Sequence, residues 1–169
     1  KIAFEEQKSL WSKQIKPLTD IETVSGIDGL RFIDSMVSKT SMGYPFGGPK
    51  RKYLIDLEPT EDCTNPREFT SNIQEIINEL FEYCDNKQFI NQPFNASLKD
   101  EPTKLTKDKV RVFQAAPVAL QFAIRKYFLP LARFISCNPL LSECAVGINA
   151  HGPEWDSLSK HMAKFGDDR

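Results

Sequence analysis

Apolar positions change their period several times along the chain, and each change marks out an element. The longest regular run is Phe69, Ile73, Ile76, Ile77, Leu80, Phe81 and Cys84, spaced by threes and fours. That spacing predicts an amphipathic helix with one buried stripe. Its expected start is Asn65-Pro66-Arg67-Glu68, with Asn at the cap, Pro at the first helical position and Glu closing a capping box. A second helix is predicted from Pro117, with Val118, Phe122, Arg125, Phe128, Leu131 and Ile135 along one side and Pro130 expected to kink or split it. A third should begin at Pro153 and bury Trp155, Leu158, Met162 and Phe165; Glu154 and Asp156 near its start and Lys160 and Lys164 near its end suit the helix dipole. Leu30, Ile33, Met36 and Val37 follow Gly26 and Gly29 at near-helical spacing and predict one more short helix. Short strands are predicted over 53–57, 95–98 and 110–115, and 138–149 reads as irregular. Trp11 is the expected anchor of the mixed stretch before Pro17. The sum is a helix-rich α+β chain with a few short strands.

Composition changes this picture little. The 169 residues are 40% hydrophobic and 27% charged, which is ordinary for a globular domain or a large part of one. Lys and Arg number 22 against 23 Asp and Glu, a net charge of −1, so any nucleic-acid partner must be held by a local patch rather than by a global field. No apolar run approaches the ~20 residues that span a bilayer, and no signal peptide is visible. Cys63, Cys84, Cys137 and Cys144 form no CxxC pair and do not complete a zinc pattern with His151 or His161. They are expected to be reduced thiols. The chain opens on Lys1 rather than Met and stops at Arg169, and it is expected to be a segment of a longer chain.

Three stretches could carry chemistry. In LKDEPTKLTKDKVR, residues 98–111, Lys99-Asp100-Glu101 is followed by Lys104, Lys107, Lys109 and Arg111. On a strand, Lys109, Arg111 and Phe113 share a face, and Lys99 on an opposing strand could join them. Converging cations suit a triphosphate, with Arg able to hold two phosphate oxygens and Lys acting as a point charge. Spacing by itself favours a solvated charged hairpin over that reading. In KTSMGYPFGGPKRK, residues 39–52, small residues and glycines permit close backbone approach, and hydroxyls and main-chain N–H groups can contact phosphates without reading sequence. An ordinary Gly/Pro turn explains the same spacing. Gly166-Asp167-Asp168 invites a metal reading. It follows a helix, however, and is expected to be a Gly-capped, exposed end rather than a metal site. Trp155 is expected in a helix core rather than as a stacking platform for bases, and His151 as a helix cap rather than an RNA contact.

Taken together and in this order, these segments resemble the N-terminal half of RNA-dependent RNA polymerases of picorna-like positive-strand RNA viruses. Residues 39–45, Lys-Thr-Ser-Met-Gly-Tyr-Pro, look like motif G along the template path. Residues 98–114 look like motif F, the ribbon above the incoming nucleotide. Ser142 to Asn149, then Trp155, look like the approach to motif A. The resemblance implies the fingers of a right-hand polymerase over 1–169, with the palm incomplete and the thumb absent. It implies phosphate contacts for Lys99 and Arg111, with Lys109 and Lys107 in the same ribbon and Glu101 as the acid that organises it. It implies template guidance by Thr40, Ser41, Gly43, Tyr44 and Pro45. Arg125 matches a family Arg of undetermined role. Many relatives place an Arg shortly after Lys-Asp-Glu, whereas Thr103-Lys104 stands here, so that contact is not carried over and Lys104 against Lys107 stays open.

The family's catalytic Asp pairs bind two Mg²⁺ or Mn²⁺ ions. Their first motif is expected just beyond Arg169, so this chain should hold no catalytic or metal-binding residue and be inactive alone. The implied partners are template and product RNA, nucleoside triphosphates and the remaining palm and thumb. The implied setting is a polyprotein product acting in a viral replication complex in the host-cell cytoplasm. The competing reading is a non-catalytic RNA-binding or scaffolding domain that uses the ribbon only for phosphates, which predicts salt-dependent RNA binding without a role in nucleotide selection.

Overall fold

The structure, a computed structural model, describes residues 11, 12, 15–102, 104, 106, 111–142, 144–164 and 166. Chain order is helix α1 (Asp20–Ser25), a 3₁₀ turn (Lys50–Tyr53), strands β1 (Leu54–Asp56) and β2 (Arg67–Phe69), helix α2 (Ser71–Asp85), strands β3 (Asn95–Leu98) and β4 (Val112–Ala115), and helices α3 (Val118–Cys137), α4 (Pro139–Ser142) and α5 (Pro153–Ala163). Helices joined to two small antiparallel sheets make the expected mixture. The chain divides into two compact units, one of 18–30 with 34–126, the other of 1–17, 31–33 and 127–169.

The core of the first unit gathers Val24, Met36, Met42, Phe69, Ile73, Ile77, Leu80, Val118, Ala119 and Phe122. Ile73, Ile77 and Leu80 recur at the spacing of one helix face, which is why α2 buries that stripe. Phe122 meets Phe69 edge-on with ring centroids 6.4 Å apart and lies 6.3 Å from Phe81. Truncating a Phe at such a centre to Ala costs about 3–5 kcal/mol.

Two element boundaries differ from expectation. The helix predicted over 30–37 does not form; the helix lies earlier, at α1. Thr19 caps it, with its Oγ1 accepting from Glu22 N at 3.2 Å while Glu22 Oε2 accepts from Thr19 N at 2.7 Å, a complete capping box. Past α1, Phe32 adopts φ +73°, outside the helical region, and Met36 N donates to Val24 O at 2.7 Å. The near-helical spacing of Ile33 and Met36 thus reflects burial from a non-helical path. Asn65 likewise caps nothing. Arg67–Phe69 pairs with β1 in the register Leu54↔Phe69, and α2 starts after Thr70. Arg67 N is claimed by Ser25 Oγ at 2.7 Å, which draws the segment into the sheet.

Pro130 does not split α3. A proline leaves the carbonyl four residues earlier without its helical donor. That carbonyl belongs to Lys126, and it accepts instead from Leu18 N at 2.9 Å.

In the second unit, Trp11 packs edge-on to Phe134 at 5.5 Å, and Arg133 Nη1 donates to Arg31 O at 2.8 Å. The stretch expected to be irregular contains the single helical turn α4. Helix α5 starts at Pro153 as predicted, but Gly152 is its cap residue and no side chain caps it, so His151 does not. Instead Glu154 Oε2 accepts from Asn149 N at 2.8 Å. Trp155 is 55% exposed rather than in a core. An apolar stripe reports a face that seeks a partner and says nothing of where the partner resides. The C-cap of α5 is Lys164 rather than Gly166, which stands two residues on at φ +104° and returns its N–H to Ala163 O at 3.3 Å. Asp167, Asp168, Glu143, Phe165 and Val110 lie outside the described residues. The four cysteines are free thiols, with Cys63 buried and Cys84 and Cys137 exposed. Among the described residues no helix is long and apolar enough to cross a membrane.

Candidate nucleotide and template site

Alternation along β3 and β4 decides which side chains meet. The strands pair Leu98↔Val112 and Ser97↔Phe113, and Lys99 N donates to Arg111 O at 2.8 Å, extending the ladder by one residue. Lys99 and Arg111 are therefore cross-strand neighbours on the face that also carries Phe113. Glu101, two residues past Lys99, returns to the same side. Its Oε1 accepts from Arg111 Nε at 2.5 Å, its Oε2 accepts from Arg111 Nη2, and Lys99 Nζ stands 3.0 Å from Oε2. The acid thus grips one edge of the guanidinium fork and one proton of the ammonium.

The charges follow from that grip. Hydrogen bonds from Arg111 first, and from Lys99 second, hold the Glu101 carboxyl below its ordinary value. Glu101 in turn raises Arg111. Two cations face one acid, leaving a net positive charge on the three, and among the described residues the Nη1 side of Arg111 and the remaining Lys99 protons meet no acceptor. Arg111 is 70% exposed and Lys99 49%, so solvent screens the pairs and they orient the groups more than they stabilise the fold. Lys104 is exposed, whereas Lys107 and Lys109 lie outside the described residues.

The loop that holds Thr40, Ser41, Gly43, Tyr44 and Pro45 is closed at its neck. Arg51 N donates to Ser38 O at 2.9 Å, Lys50 N to Thr40 O at 2.9 Å, and Ser41 bridges Pro49. Met42, fully buried, pins the loop to the core of its unit. Ser41 Oγ accepts from Gly43 N at 3.1 Å, which leaves its own hydrogen to donate outward. Thr40 differs, because its hydroxyl donates to Val37 O at 2.8 Å and has no second hydrogen for a phosphate. The Tyr44–Pro45 peptide is cis, and Tyr44 is 52% exposed.

Gly43 joins the two regions. It sits at φ +77°, and a Cβ there would lie 2.9 Å from Ala116 C and Pro117 Cα, closer still to Ala116 O. Only glycine fits both constraints. Ala116 and Pro117 immediately follow β4, so the loop backbone rests against the root of the hairpin.

Two contributors escaped the sequence reading. Lys50, in an unbroken Lys-Arg-Lys run that reads as solvated, is 2% exposed; its Nζ donates to Thr40 Oγ1 at 2.8 Å and to Ser41 O at 2.7 Å. Burial, and then the nearby Arg125 charge, push its ammonium down. Arg125, assigned no role beforehand, is a backbone clamp: Nε donates to Thr23 O at 2.8 Å and Nη2 to Asp34 O at 2.5 Å. Burial lowers its guanidinium and Asp34 opposes that shift. Residue type and spacing signal neither role: Arg125 depends on carbonyls about a hundred residues away, and Lys50 on how its own loop folds back on Thr40 and Ser41.

A family model described as "Viral RNA-dependent RNA polymerase" matches residues 1–169. Among curated proteins, the chain is 32% identical over 156 residues to the replicase polyprotein of Cricket paralysis virus, covering 88% of this chain and 9% of that protein. It is 30% identical over 162 residues to the replicase polyprotein of Drosophila C virus, covering 92% and 9%. It is also 30% identical over 164 residues to the RNA1 polyprotein of Tomato torrado virus, covering 90% and 8%. The chain spans less than a tenth of the length of these relatives.

Proposed function

Since the chain belongs to the viral RNA-dependent RNA polymerase family, we propose that it is the fingers part of an enzyme that copies RNA from an RNA template by nucleotidyl transfer from nucleoside triphosphates. Residues 98–114 meet the phosphates of the incoming nucleotide, through Lys99 and Arg111 and with Lys107 and Lys109 in the same ribbon. Residues 39–45 guide the template strand. The observation that carries this reading is the three-residue cluster in which Glu101 orients Arg111 and Lys99 while leaving donors uncommitted on both.

Phosphate oxygens approaching that cluster gain a guanidinium edge and an ammonium already turned to one side. Charge that develops on the transferring phosphates is then met by preorganised donors, without reorganisation at the moment of reaction. Exposed Ser41 and Tyr44, beside a Gly43 that the backbone contact fixes, support a template track that holds RNA without reading its sequence.

Chemistry of this class draws on Mg²⁺ or Mn²⁺. The described residues do not fit such an ion: no three His, Cys, Asp or Glu side chains converge among them, and the Glu101 carboxylate is spent on Arg111 and Lys99. We place the metal ligands, and the catalytic carboxylates, outside the described residues. Large exposed apolar side chains, among them Phe89, Phe128 and Trp155, support packing against the palm and thumb of the same polymerase. A viral replication complex in the host-cell cytoplasm is the setting that this function implies.

The test is Arg111→Ala in the intact polymerase. Nucleotide incorporation, as kcat/KM, should fall about a hundredfold, the usual loss when one preorganised donor is removed, while RNA affinity falls only a few-fold. Incorporation near the wild-type rate would overturn the phosphate role and leave a scaffold that merely binds RNA.

A further inference from the structure

A lysine seldom gives up water, because burying its ammonium is costly unless an acid or several acceptors replace the solvent. Lys50 is 2% exposed and forms no ion pair among the described residues. Its two partners are uncharged oxygens, Thr40 Oγ1 and Ser41 O. Its main chain holds the same segment through Lys50 N to Thr40 O. A methionine of similar length would fill the volume, keep that main-chain bond and avoid the desolvation cost. Stability alone therefore does not explain an ammonium at this position.

What the ammonium adds is direction. Thr40 Oγ1 accepts from Lys50 and donates to Val37 O, so its rotor is fixed from both sides. Ser41 O points inward to Lys50, which turns the Ser41 side chain the other way, where Oγ takes the Gly43 N–H and keeps its hydrogen outward. We propose that Lys50 is the positioning residue of the template loop: its buried ammonium sets Thr40 and Ser41 so that the loop meets RNA phosphates in one geometry. The inference rests on the template-guiding reading above and names the side chain that reading requires. The adjacent Arg125 guanidinium, committed to Thr23 O and Asp34 O, adds a second, half-buried cation behind the loop. Two cations beneath the uncharged stretch 40–45 favour a polyanion above it.

The experiment uses the intact polymerase on a labelled primer–template. It measures the lifetime of the RNA complex after a chase with excess unlabelled RNA, and the KM for nucleotide. Lys50→Met should shorten that lifetime about tenfold, as loss of a charge-assisted hydrogen bond does, with nucleotide KM changed less than about twofold. Thr40→Val, at an exposed position, removes the same acceptor and should act alike even if Lys50→Met folds poorly. The double variant should fall well short of the product of the two single effects, because the Lys50–Thr40 bond is lost in both. A purely structural lysine would lower the melting temperature and leave the lifetime of the folded enzyme's complex unchanged; that result, or single effects that multiply in the double variant, overturns the proposal. Ser41→Ala and Tyr44→Ala separate the two levels. Should they shorten the lifetime while Lys50→Met and Thr40→Val do not, the positioning role alone falls. Should none of the four matter, the template reading falls with it.

Discussion

Residues 38–51 and the β3–β4 hairpin are both rich in lysine and arginine, yet they manage charge in opposite ways. The loop turns one cation inward, buries Met42 beside it and closes its neck with backbone hydrogen bonds. The hairpin exposes every residue of β3 and all of β4 but its last, and orders its cations through one acid at the surface. Isolated two-stranded ribbons are marginal in water. Order in the loop is therefore supplied by the core beneath it, whereas order in the hairpin depends on what it meets. On the proposed roles, a template track must stay in register over many cycles, while a nucleotide ribbon must accept and release a ligand at each one, and the contrast would suit those demands.

The sharpest way to break the contrast is Gly43→Ala. The new Cβ meets Ala116 and Pro117 at a positive φ, combining backbone strain with overpacking. A loss of about 3 kcal/mol is expected, read as the midpoint shift in urea unfolding of the chain; a loss below about 1 kcal/mol would show that the loop yields more easily than its contacts imply. Next comes a pair. Met42→Ala, at a fully buried site, should cost about 2–4 kcal/mol, whereas Phe113→Ala, at 52% exposure, should cost under about 1 kcal/mol. Equal costs in the same unfolding assay would erase the distinction between the regions. The smallest effect concerns acid. The folded pKa of Glu101 is depressed below the ordinary 4.5, so its pairing with Arg111 and Lys99 is present above that value and is lost only as pH falls through the lower, folded one. The carboxyl ¹³C shift of Glu101 should thus report an ionised group at pH 4.5. Titration at the ordinary value would mean that the surface cluster does not hold in solution.

Much of this was legible in the chain because local rules sufficed. The stripe from Ile73 to Leu80, Pro153 at a helix start and the strand at 95–98 follow from periodicity and backbone restriction, which neighbours in sequence decide. The ribbon's Lys99, Glu101 and Arg111 were nameable through the family resemblance rather than through spacing, which by itself left a solvated hairpin; strand alternation then explains why the three meet. Failures occurred where a distant partner decided. Asn65-Pro66-Arg67-Glu68 carries the letters of a helix cap, but Ser25 and β1 claim the segment. Ile33 and Met36 are buried at helical spacing without a helix, because Val24 O takes the Met36 N–H. Lys50 defeats pattern reading altogether, since its neighbours Arg51 and Lys52 are exposed as a charged run should be. Only the acceptors it finds at Thr40 and Ser41 distinguish it.

The contact at Gly43 bears on how such polymerases can be recombined. Where one loop's main chain touches the root of another, the two cannot be exchanged piecemeal between relatives. A graft of residues 38–51 brings its own backbone path to meet the host's Ala116 and Pro117, and a mismatch of one methyl group there is felt in both pieces. Chimeras joined outside 38–118 carry loop and ribbon as one inherited part, and the same indivisibility limits how independently the two can drift as the virus diversifies.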